Sequence, residues 1–119
     1  MQPVNLEAAA ATIGELWSPR VVGQCNDLVV KVFQASGDFV WHDHQDTDEL
    51  FLVLTGELTI LLEAGDVSLG PGDLYVVPRG VRHCPRAAAG TTGMLLEPAG
   101  LINTGETGGV LTAPVDQAL

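Results

Sequence analysis

The chain has 119 residues, 46% of them hydrophobic, and carries five Lys+Arg against fifteen Asp+Glu for a formal net charge of −10. A chain of this length buries roughly two-thirds of its unfolded surface, enough for one core and not for two. So negative a surface repels phosphate backbones and anionic lipid, which argues against nucleic acid and membranes as partners.

No apolar run reaches the ~20 residues of a membrane helix. The N-terminus lacks a basic-then-apolar signal pattern, so a cytoplasmic location is expected. Cys25 and Cys84 are too few for a disulfide scaffold.

The expected layout is a single domain over residues 1–119, with a helix and arm over 1–20, a barrel core over about 28–97 and a tail over 98–119. The opening Asn5–Trp17 reads as a short helix. Asn5 is its N-cap, Leu6, Ala9, Ile13 and Leu16 recur at helical spacing, and Ser18-Pro19 ends it. Strand patterns follow at Leu28–Phe33, Phe39–His44, Glu49–Thr55, Leu58–Leu62, Val67–Leu69, Leu74–Val77, Arg82–Arg86 and Gly93–Glu97. Glycine or proline punctuates most of the joints, and many short strands with little helix predict an all-β sandwich or barrel. The tail shows no strong periodicity, and no internal repeat is visible. Arg79, Arg82 and Arg86 read as a solvated rim that balances an acidic shell.

The three histidines of the chain, His42, His44 and His83, concentrate the chemistry. In a strand, alternate side chains share a face, so His42 and His44 project together with Cα atoms roughly 6.6 Å apart. That is close enough to converge on one ion at bonds of about 2.0–2.2 Å. Glu49 lies an odd number of residues beyond His44, and a bulge or turn in Gln45-Asp46-Thr47-Asp48 is needed to bring it to the same face. His83 arrives from another strand, after the rigid turn at Pro78 and Gly80. Three imidazoles and a carboxylate suit Mn, Fe, Co, Ni or Zn better than Ca or Mg. A histidine pair on a half-buried strand is more often structural, and it is the second segment that shifts the balance toward ligands. Cys84 follows His83 directly, so it faces away from the metal and reads as a small buried hydrophobe.

The two segments together resemble the motifs of the cupin superfamily. The first motif matches at Gly37, His42, His44, Glu49 and Gly56, and the second at Gly72, Pro78, Gly80 and His83. Two departures stand out: Gly37 is one residue closer to the histidine pair than usual, and Ala87 replaces the Asn that often closes the second motif. The resemblance implies a double-stranded β-helix (jelly-roll) barrel with a short N-terminal helix. It also implies one divalent transition metal held by His42, His44, Glu49 and His83. The whole chain is similar to small stand-alone cupins that carry a Trp-Ser-Pro segment near the start and an Asn-Thr-Gly segment near the end, here Trp17–Pro19 and Asn103–Gly105. Such proteins often bear a label related to mannose-6-phosphate isomerase. That activity needs a phosphate site, and this acidic chain shows no dedicated one; fold does not fix function.

Val40, Phe51 and Val53 are the expected lining of the metal cavity. Leu50, Leu52 and Leu54 then face outward and need cover from the helix, the tail or a second subunit. Small cupins of this kind are commonly dimers, so a homodimer is expected. Two readings of function stand: a metal-dependent enzyme on a small organic molecule (dioxygenase, isomerase, decarboxylase or lyase), or a non-catalytic binder or sensor with a structural metal.

Overall fold

A computed structural model of the chain describes residues 2–119. One helix and seven strands follow in order: α1 (Leu6–Ala11), β1 (Arg20–Cys25), β2 (Leu28–Asp38), β3 (Glu49–Thr55), β4 (Leu58–Leu62), β5 (Val67–Leu69), β6 (Leu74–Val77) and β7 (His83–Pro98). All strand pairs are antiparallel. Hydrogen-bonded neighbours run β1-β2-β7-β3-β6, and β4 joins β7 to β5.

The long strand β7 ties the jelly roll together. Its first part pairs with β4, from His83 opposite Leu62 to Ala87 opposite Leu58. Its second part lies between β2 and β3, with Leu95 opposite both Lys31 and Phe51. The two strands expected at Arg82–Arg86 and Gly93–Glu97 are therefore one strand. Between β3 and β4 the chain turns at Gly56, where φ is +82° and an added Cβ would strike the Thr91 hydroxyl and backbone. The same hydroxyl accepts from the Glu57 N–H at 3.1 Å, so this turn and β7 are locked by a contact that only glycine admits.

Alternation along the strands sends Val29, Phe33, Phe51, Val53, Val77 and Leu95 into the barrel, all buried. The opposite face of β2 is capped at Val32, which packs with Ala9, Ala10, Ile13 and Leu54 under α1. Asn5 caps that helix as expected, accepting from the Ala8 N–H at 2.8 Å. The helix is shorter than expected and stops at Ala11. Thr12, Ile13 and Gly14 are poor helix formers, and residues 16 and 17 are claimed by β2: Leu16 bridges Gln34, and the Trp17 N–H donates to the Gln34 carbonyl at 2.8 Å.

Two strand assignments change. Arg20–Cys25, unassigned from sequence, pairs with β2 as an edge strand. Phe39–His44 is not a strand but an extended crossing between the sheet layers, with a single antiparallel bridge between His42 and His83. Its pairing stops because β2 loses register between Ala35 and Gly37, where φ turns positive. Cys25 is exposed and Cys84 buried, and they are unpaired. Among the described residues no helix is long and apolar enough to cross a membrane.

Candidate metal centre

Backbone hydrogen bonds fix the crossing that carries the histidine pair. His42 and His83 exchange N–H···O bonds of 3.0 and 2.9 Å, and the Gly80 N–H donates to the His44 carbonyl at 2.8 Å. The tail adds two restraints on the other side. The Thr107 hydroxyl donates to the Trp41 carbonyl at 2.9 Å. Gly105, at φ +58°, packs directly against the Asp43 carbonyl, leaving no room for a Cβ. The Asn-Thr-Gly segment thus clamps the residue between the two ligand histidines. A bend at Gln45-Asp46 supplies the change of direction that brings Glu49 inward at the first position of β3.

The result is one buried cluster. His42, His44, Glu49 and His83 each offer a ligand atom within 4.8 Å of the others, and all four residues are at most 5% exposed. Glu49 Oε1 lies 3.5 Å from His44 Nε2 and 3.4 Å from His83 Nε2. Those separations are long for hydrogen bonds. They lie between the spacings of two ligands on one ion, about 3 Å for neighbours and about 4.2 Å for opposites at bonds of ~2.1 Å.

The polar bookkeeping points the same way. Nδ1 of His42 lies 2.8 Å from the Val40 carbonyl and Nδ1 of His83 lies 2.9 Å from the Val81 carbonyl. A carbonyl only accepts, so each Nδ1 carries the proton and each Nε2 keeps a free lone pair. His44 Nε2, His83 Nε2 and Glu49 Oε1 are buried with no hydrogen-bond partner. Orphaned buried acceptors are costly unless something absent from a protein-only structure satisfies them, and a divalent cation satisfies all three at once. Burial, with the neighbouring His83, lowers His42 from 6.5 to about 4, which keeps it neutral and free to ligate. Burial alone would raise Glu49, but His44 and His83 outweigh it and hold the carboxyl well below its usual range.

An apolar hollow adjoins the cluster. Trp17, Phe33, Phe39, Phe51 and Leu95 line it beside His42, Glu49 and Asn103. Its room for the centres of water-sized molecules is about 30 Å³, space for one or two waters. Of the expected lining residues, Phe51 is present and Val40 and Val53 are not. Val53 is spent in the core next to Phe33 and Leu58, and Val40 contributes its backbone carbonyl instead. On the far side of His44, a hollow of about 250 Å³ lies between Asp43–Asp46 and the tail.

Sequence reasoning missed the wall of this cavity. The Trp17 ring sits 5.0 Å from Phe39, which meets His42 edge-on at 5.3 Å. Trp17 adopts φ 56°, and Asn103 steadies it by donating to its carbonyl at 3.2 Å. The two end segments noted as a resemblance therefore touch each other at the metal cavity. Also missed was a buried polar group formed by Lys31, Glu97 and Asp116. The signal was available: Lys31 is the single lysine of the chain and stands alone in the apolar run of β2. The arginine rim is as expected, each side chain near one carboxylate: Arg79 with Asp48, Arg82 with Glu63 and Arg86 with Asp38.

Comparison with known proteins settles the family, because the cupin domain matches across residues 29–97. The chain is a cupin. It is 33% identical over 94 residues to protein YdbB of Bacillus subtilis, covering 78% of this chain and 83% of that one. A cupin-2 domain protein from Shewanella frigidimarina superposes with a TM-score of 0.77 at 39% identity, over 80% of this cupin and 93% of the other. A 3-hydroxyanthranilate 3,4-dioxygenase from Xanthomonas euvesicatoria is 26% identical over 102 residues, which is 80% of this chain. This cupin spans only 58% of that dioxygenase.

Proposed function

We propose that this cupin is a metalloenzyme that acts on a small organic molecule through one divalent transition ion held by His42, His44, Glu49 and His83. The observation that carries the reading is the set of buried, unpartnered acceptors aimed at one point beside an apolar hollow. Neutral imidazoles with one carboxylate suit Mn, Fe, Co, Ni or Zn, and four protein ligands on a six-coordinate ion leave two positions for substrate, water or dioxygen. The ion supplies Lewis acidity or activation of a bound molecule. The chain supplies the apolar wall of Trp17, Phe39 and Phe51, which excludes water and favours a substrate with an apolar body. A dioxygen-dependent reaction on a hydroxylated aromatic ring is the first to test, since 3-hydroxyanthranilate 3,4-dioxygenases are among the sequence relatives. The acidic surface is consistent with a cytoplasmic protein that avoids nucleic acid and membranes.

The small free volume of the hollow favours a second reading, a non-catalytic binder or sensor in which the ion staples the barrel. The discriminating experiment loads the protein with Fe(II) or Mn(II) and follows dioxygen uptake and product mass over a panel of small hydroxyaromatic acids and phenols. The enzyme reading expects turnover that disappears in His44→Ala. Absence of turnover, and of any ligand-induced rise in melting temperature across the panel, supports the structural metal.

A further inference from the structure

Behind the metal cluster, on the side away from the apolar hollow, a polar track crosses three strands inside the barrel. Leu50 on β3 pairs with Leu96 on β7, which sets Glu49 beside Glu97, and Val29 on β2 pairs with Glu97 from the other side. Lys31 lies two residues further along the same inward face of β2. Its ammonium donates to Glu97 Oε2 at 3.1 Å and contacts Asp116 Oδ1 at 2.9 Å. The remaining oxygen, Glu97 Oε1, is buried with no other partner and meets the carboxyl of Glu49. Asp116 belongs to the C-terminal tail, where its Oδ2 also accepts from the Gly100 N–H at 2.7 Å.

This arrangement is costly unless it does something. Lys31 and Glu97 are 4% and 3% exposed, and a buried ion pair is seldom more stable than apolar side chains of the same size. Apolar residues fill the neighbouring inward positions Val29, Phe33 and Leu95 without difficulty. What apolar residues cannot do is hold a carboxylate in one orientation. Glu49 is the only carboxylate in the cluster, it has a rotatable side chain, and its Oε1 must point at the shared centre.

We propose that Lys31 and Glu97 are positioning residues for the metal centre. Glu97 fixes the outer side of the Glu49 carboxyl, Lys31 fixes Glu97, and Asp116 anchors Lys31, so that the C-terminal tail is mechanically part of the site. The inference rests on Glu49 being a metal ligand, as proposed above. It adds three residues that lie outside both cupin motifs.

The test uses the full chain and Co²⁺ alone as probe. Affinity is measured by chelator competition and ligand geometry by the visible d–d spectrum. Wild-type protein that binds no Co²⁺ refutes the metal centre itself; wild-type that binds it leaves the track to be judged on its own variants. Lys31→Met and Glu97→Leu should weaken Co²⁺ by about 10- to 100-fold and change the spectrum, the range typical for groups behind a metal ligand. Lys31→Arg, which keeps a donor, should recover part of the loss. A purely structural pair would lower the melting temperature of the metal-free variants while leaving the Co²⁺ affinity and spectrum of the folded fraction at wild-type values, and that result overturns the proposal. Should the Lys31 and Glu97 variants not fold, Asp116→Asn decides: its carboxyl is partly exposed and the substitution is conservative. A roughly threefold or greater weakening of Co²⁺ supports the coupling of tail to metal, and unchanged affinity overturns it.

Discussion

An imidazole whose Nδ1–H is tied to a backbone carbonyl has one lone pair left to give, and at His42 and His83 the backbone makes that tie within two residues of the ring. Such local fixation lets a loop, rather than a strand, present the first histidine pair. The folded state alone assembles the cluster, so an ion bound there stabilises it by mass action, about 2.7 kcal/mol at a hundredfold excess over Kd. In a domain of this size that corresponds to roughly 10 °C. Chelation should therefore lower the melting temperature by several degrees, and His44→Ala should remove both the bound metal and the shift. A melting curve unmoved by chelator, in protein first shown to hold metal, would separate the ion from folding. Acid provides a second check. Folding lowers His42 from 6.5 to about 4, so between those values the unfolded chain takes up a proton that the folded chain refuses. Stability of the metal-free protein should fall as pH falls through that window, by at most about 3 kcal/mol. Denaturant titrations from pH 7 to pH 4 measure this, and His42→Gln should flatten the slope; a rise in stability toward acid would contradict the assignment.

At the scale of elements, the four cluster residues were legible because motif spacing encodes topology: a turn must re-aim Glu49, and a Pro-x-Gly turn must precede His83. The parity argument for Glu49 succeeded, since the bend at Gln45-Asp46 stands where the odd spacing required one. Strand assignments failed where tertiary pairing overrode local pattern. Phe39–His44 alternates like a strand but has only the His83 backbone to pair with, and Arg20–Cys25 becomes a strand only because β2 presents a free edge. Val40 and Val53 were misplaced for the same reason, since their lining role assumed a continuous strand and an open barrel. The tail was illegible by periodicity because it is held by side chains instead of a ladder. Asn103 alone donates to the Trp17 and Leu111 carbonyls and accepts from the Ala113 N–H. Asn103→Ala should cost about 1–3 kcal/mol by leaving those groups unmet, and should show as faster amide exchange across residues 99–119. Exchange unchanged there would mean the tail is held by other contacts.

For the whole molecule, the unanswered surface is the outer face of β3, β7 and β6. Register places Leu50 between Val76 and Leu96, and Leu52 between Leu74 and Met94. Leu74 and Val76 are 57% and 41% exposed, whereas Leu54 is covered by α1. The helix thus answers part of the demand for cover and leaves the rest to a second copy, the homodimer expected from sequence. Leu52→Asp would bury a charge in such an interface at a cost of several kcal/mol and should yield a monomer that retains its metal ligands. Wild-type protein that scatters light as a monomer at micromolar concentration would refute the dimer.

The central claim is that His42, His44, Glu49 and His83 hold one transition ion. Elemental analysis of the purified protein, after reconstitution and removal of loosely bound metal, tests it most directly. The account predicts one ion of Mn, Fe, Co, Ni or Zn per chain, lost in His44→Ala; folded wild-type protein that retains none of the five would contradict it.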